Sequence, residues 1–115
     1  MPYGQALLEG IVSDSTTTKE LKTIKENLQS VSRSYFDTHM DAHNLDAILS
    51  INNYHAGYAA VAKYPAVTVP MGYTDEGEPK SLTFIAKSFS EHKLLAMAFA
   101  YEQIAKERRA PIKYN

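Results

Sequence analysis

The sequence predicts an α/β fold: a small mixed β-sheet of about three strands, packed with helices. Two long stretches, from Thr17 to about His43 and from Ser90 to about Arg108, repeat apolar residues every three and four positions, the period of one helix face. Three shorter runs, Leu45–Ile51, Ala66–Val69 and Ser81–Ala86, are apolar and bounded by turn residues, as strands are. The 115 residues make one domain, 1–115, or part of one; a chain of this size buries roughly two-thirds of its unfolded surface, enough for a modest core.

In order, Pro2 to Val12 carries Ala6-Leu7-Leu8 and Ile11-Val12 and supports one to three helical turns, weakened by Gly10. Ser13-Asp14-Ser15-Thr16 is a connector. Thr17-Thr18-Lys19-Glu20 fits a capping box, Thr17 as N-cap with Glu20 reaching back. From there Leu21, Ile24, Leu28, Val31 and Tyr35 form one apolar face, with Lys19, Lys22, Lys25, Glu26, Gln29 and Arg33 on the others, and Asn44 is a left-handed stop. A helix of about 25 residues is about 38 Å long, longer than a globule of this size is wide, so part of it projects or packs on something else.

The near-continuous apolar run Leu45–Ile51 predicts a strand covered on both faces. Asn52-Asn53-Tyr54 turns the chain, and Ala-rich His55–Lys63 is a short helix that Tyr64-Pro65 ends, since a residue before proline avoids the α region. In Ala66–Val69 the β-branched Val67 and Val69 suit a pleated surface, bracketed by Pro65 and Pro70. The polar connection Thr74–Pro79, with Gly77 inside it, returns the chain to Ser81–Ala86. Ser88-Phe89-Ser90-Glu91 is a second capping-box candidate. Leu94, Leu95, Ala98, Tyr101 and Ala105, with Met97 and Ile104 beside them, give the last helix a wide apolar stripe, and Lys106, Arg108 and Arg109 stand where a helix C-terminus favours cations, before Pro111.

A composition of 44% hydrophobic and 22% charged residues is that of a folded chain. Without cysteine there is no disulfide, thiolate nucleophile or Cys-based zinc site. A net charge of −1 at a pI of about 6.4 gives no general attraction to nucleic acid. No apolar run approaches the ~20 residues that cross a bilayer, and Met1-Pro2-Tyr3-Gly4-Gln5 lacks a basic, then apolar, leader, so no membrane partner and a cytoplasmic location are expected.

His39 and His43 fall at i and i+4, a spacing able to chelate a metal, with Asp37 and Asp41 near; but the zincin pattern needs Glu where Met40 stands, so no metal or other cofactor is expected. Ser30, Ser32 and Ser34 lie on the long helix without a Gly-rich oxyanion turn, because all five glycines are isolated. Asp75, Glu76 and Glu78 read as a solvated loop, and the positive charges between Lys106 and Lys113 need no nucleic acid to explain them. Tyr3, Tyr35, Tyr58, Tyr64, Tyr73 and Tyr101 sit on or beside apolar segments, where a ring buries and its hydroxyl stays wet. No set of catalytic residues emerges.

Several of these stretches, in order, resemble the C-terminal portion of amidase signature family hydrolases. They are Tyr3-Gly4-Gln5; the Leu45-Asp46-Ala47-Ile48-Leu49 strand; Ala59 to Tyr73, with Lys63 where Gly is common; Phe84-Ile85-Ala86-Lys87; Phe89-Ser90-Glu91; Leu94-Leu95; and Ala100-Tyr101-Glu102-Gln103. The resemblance implies part of that family's α/β/α fold and a parent enzyme that hydrolyses carboxamide C–N bonds with a Ser–cis-Ser–Lys triad. The triad lies upstream of the matched region and has no counterpart here, so no catalytic residue carries over. Two departures stand out: Ser50-Ile51-Asn52-Asn53 replaces a common Pro-Thr or Pro-Ser, and Lys80-Ser81-Leu82 replaces a Pro-Val-Gly-like approach. In the family the first of these loops can border the substrate pocket, which makes Asn52, Asn53 and Tyr54 the candidate pocket residues.

Three readings follow. The first is a C-terminal amidase segment, inactive alone, that self-associates as a homo-oligomer or binds an N-terminal amidase segment, and meets a small-molecule amide only in the complete enzyme. The second is a non-catalytic binding or structural module that keeps the fold. The third is a small independent enzyme or metalloprotein using His39 and His43.

Overall fold

The computed structural model describes residues 4–110. Along them run α1 (Ala6–Ser13), α2 (Thr18–Ala42), β1 (Ile48–Ile51), α3 (Ala56–Ala62), β2 (Ala66–Tyr73), β3 (Pro79–Ile85) and α4 (Glu91–Ala105). Pro2, Tyr3, Pro111 and Lys113, used above, lie outside the described residues.

The strands form one sheet in the order β1-β3-β2, with both pairings antiparallel, a narrower arrangement than the mixed sheet expected. The β2–β3 hairpin returns through Thr74–Glu78, where Gly77 takes φ +85°, and a bulge between Pro70 and Gly72 shifts its register. Central β3 explains why its sequence turns apolar on both faces. Phe84 pairs across with Val67 and Leu82 with Val69, and these face α4 with Leu94 and Ala98. Ile85 points to the other side, into a cluster with Phe36 and Met40 of α2 and Ala59 and Ala62 of α3. The layers are therefore α2/α3, sheet, α4.

Local signals place most element ends. Thr17 and Glu20 form the expected capping box: the Thr17 hydroxyl accepts from the Glu20 N–H at 3.3 Å, and the Glu20 carboxylate accepts from the Thr17 N–H at 2.9 Å. Asn44 takes φ +49° just past α2, as expected. The second capping box does not form, because Phe89 takes φ +65°; Ser90 makes no capping bond with its side chain, and the Ser88 hydroxyl donates instead to the Lys63 carbonyl at 3.0 Å. α4 ends at Ala105 rather than near Arg108, because Lys106 turns left-handed at φ +52°. Its cations therefore stand beyond the last turn; Arg109 lies over the Tyr73 ring, 5.1 Å from its centroid.

Two buried faces differ from expectation. On α2 the core contact is made by Ser32, Phe36 and Met40, at i, i+4 and i+8, while Leu21, Ile24, Leu28, Val31 and Tyr35 all remain exposed. Only the C-terminal turns of α2 reach the sheet, and the apolar stripe lies beside that line of contact. β1 is covered on one face: Ile48 and Ser50 point toward α2/α3, but Leu49 and Ile51 are exposed, because α4 lies over β2 and β3 and not over this edge strand. α1 buries none of its residues. The radius of gyration, 18.5 Å, exceeds the ~13 Å of a compact chain of this length.

Candidate functional site

The candidate residues Asn52, Asn53 and Tyr54 form the turn from β1 into α3. Asn52 adopts φ +51°, a left-handed conformation that asparagine tolerates better than most residues. Its side-chain Oδ1 accepts from the Ser81 N–H at 2.8 Å and from the Ser81 hydroxyl at 3.3 Å, and its own N–H donates to the Ser81 carbonyl at 2.8 Å. Its carbonyl accepts a short bond from the Thr83 hydroxyl, which also meets Thr68 Oγ1 across the hairpin at 2.8 Å. Asn52 thus fastens the turn to β3. The two departures from the family pattern noted above, Asn52 and Ser81, are bonded to each other.

Asn53 and Tyr54 are exposed, and the Asn53 carbonyl accepts from the Ala56 N–H at 3.0 Å to start α3. Tyr54 borders an apolar groove of about 480 Å³ between α2 and α3, lined also by Leu28, Val31, Tyr35, Tyr58 and Val61. Tyr35 and Tyr58 stack at 5.3 Å between centroids, and His55 lies 6.2 Å from Tyr35 and 6.1 Å from Tyr58. The structure therefore separates the three candidates: Asn52 is bound into the sheet, Asn53 is exposed on the turn, and of the three Tyr54 lines the groove.

The pair that sequence reasoning missed is Ser50 and His55, whose Oγ and Nδ1 are 2.8 Å apart. A hydroxyl beside an imidazole is the first requirement of a serine nucleophile. Here the serine is buried, and among the described residues no further hydrogen bond orients the imidazole. The pair ties β1 to the start of α3. Its sequence signal, Ser and His five residues apart across a turn, is too common to single out.

The other candidates are occupied or apart. Ser32 is buried and donates to the Tyr58 carbonyl, while Ser30 and Ser34 are exposed. His43 caps α2, its N–H donating to the His39 carbonyl at 3.2 Å. Asp37 accepts from the Tyr64 hydroxyl at 2.6 Å, and Asp41 pairs with Lys87 at 2.5 Å. Among the described residues no three His, Asp or Glu side chains gather as a metal site. Burial, then the bond to Asp37, pushes the Tyr64 phenol up to about 12, against the opposing Arg33 guanidinium 5.7 Å from its ring. Bonding to Asp41 raises the Lys87 ammonium, and bonding to Lys93 holds the Asp46 carboxyl below its ordinary range. These are structural ion pairs around the α2–β3 and α4 junctions. No helix among the described residues is long and apolar enough to cross a membrane.

No protein-family model matches the chain. A probable amidase of Arabidopsis thaliana is 30% identical over 109 residues, which are 95% of this chain and 21% of the relative. A glutamyl-tRNA(Gln) amidotransferase subunit of Syntrophus aciditrophicus is 47% identical over 55 residues, covering 47% of this chain and 11% of the relative. A solved amidase family protein from Bacillus anthracis superposes with a TM-score of 0.90 at 34% identity, covering 96% of this chain and 22% of that one. The chain spans about a fifth of the length of the plant and Bacillus proteins it matches almost end to end. In sequence and in fold, the chain matches the C-terminal portion of amidase signature family proteins, about a fifth of their length.

Proposed function

We propose that this chain is the C-terminal segment of an amidase-family hydrolase acting on carboxamide C–N bonds, and that it has no activity alone. One observation carries the reading: about 96% of the chain superposes on 22% of a solved amidase family protein, while no Gly-rich serine turn of any kind occurs in its sequence. The nucleophile is then supplied by an N-terminal amidase segment, and the chain contributes a wall of the substrate pocket. Asn53 and Tyr54 are the residues of that wall, both exposed, with Tyr54 on the groove, and Asn52 holds the turn in place through Ser81. The complete enzyme takes a small-molecule amide, needs no cofactor and works in the cytoplasm.

The test is hydrolysis of a panel of small aliphatic and aromatic amides by the purified 115-residue chain. No turnover is expected from the chain alone, with turnover appearing when an N-terminal amidase segment is added. Turnover that survives purification and is lost on Ser50→Ala or His55→Ala would overturn the reading and make that pair catalytic.

A further inference from the structure

Apolar surface stands open on both sides of the sheet. On the α2/α3 side Leu28 and Val31 face outward, Val31 at 71% exposure. On the α4 side Leu49 and Ile51 of β1 are uncovered, and Phe99 of α4 is 64% exposed. Helices with apolar residues on their outer side belong to protein interiors. A two-fold contact with a second copy buries one self-complementary patch per chain, so it cannot cover opposite sides of the sheet together. A larger polypeptide can. The same arrangement of elements recurs in the Bacillus anthracis protein, more than three-quarters of which lies outside the matched part.

We propose that the chain is clasped from both sides of its sheet by one larger polypeptide, the remainder of an amidase-family protein. It seats on α2 at Leu28 and Val31, and on the opposite side on Leu49, Ile51 and Phe99. The proposal rests on the functional reading above and adds the partner's two contact surfaces.

The test co-expresses the tagged full chain with the Bacillus anthracis protein lacking its matching part; that protein's own matching segment, supplied in the same way, is the positive control. Val31→Asp and Phe99→Asp are compared with wild type, one on each side. Both side chains are exposed, so the free chain keeps its circular dichroism and unfolding midpoint. Each variant is expected to lower the recovered complex at least tenfold. Wild type bound and either variant bound equally well overturns the two-sided clasp alone. Wild type recovering nothing while the control assembles overturns both the clasp and the reading as an amidase segment. A closed dimer of the chain by sedimentation, dissolved by only one of the variants and with no mixed complex, gives that face to a second copy and also overturns the clasp.

Discussion

Tyr64 offers a quantitative check on the contact between α2 and the strand layer. Its hydroxyl donates to Asp37 Oδ1 at 2.6 Å, and its ionisation is pushed from 10.0 up to about 12. The folded state therefore holds the phenol proton more tightly than the unfolded chain does. Below pH ~10 both states are protonated and the stabilisation is fully present; as pH rises through 12 it is lost. Two units correspond to a ceiling of about 2.7 kcal/mol. Asp37 keeps 34% of its side-chain surface in solvent and has Lys87 at 3.7 Å, so screening reduces this to about 1–1.5 kcal/mol. Urea unfolding at pH 8 and pH 11.5, on wild type and Tyr64→Phe, isolates the effect, because every other titration is common to both. Wild type should lose about 1 kcal/mol more than the variant between the two pH values, and at pH 8 the variant should be about 1 kcal/mol less stable. Equal losses would refute the argument.

Lys63 ends α3 at φ +58°, where glycine carries no steric cost, so Lys63→Gly should stabilise the chain by about 0.5–1 kcal/mol in urea unfolding; the Ser88 bond goes to its carbonyl and survives. Thr17→Ala removes the cap of α2 and should cost about 1 kcal/mol, read as roughly fivefold faster amide exchange in the first turn, with little change in the global midpoint because that turn is exposed. Asn52→Ala loses the acceptor for Ser81 and strains the left-handed turn, whereas Asn52→Gly loses only the acceptor; the alanine variant should unfold about 1 kcal/mol more easily than the glycine variant.

The same positions divide what the sequence settles from what it leaves open. The Thr17–Glu20 box, the Asn44 stop, the end of α3 before Pro65 and the three strands were all legible, because each depends on residues within a few positions of one another. The gap between Lys63 and the family's glycine was legible too, and its left-handed φ gives the reason. The α2 stripe was legible as an apolar face, but its partner was not: periodicity says that a face is apolar, not which surface arrives to cover it. Only the tertiary structure turned Ser32, Phe36 and Met40 inward and left Leu28 and Val31 outside. Only it joined Asn52 to Ser81 and Ser50 to His55, and spent Ser88 on the Lys63 carbonyl rather than on a helix cap. A side-chain hydrogen bond depends on where two backbone segments come to rest. For Asn52 and Ser81, 29 residues apart, the pairing of β1 with β3 decides that, and no local pattern encodes it.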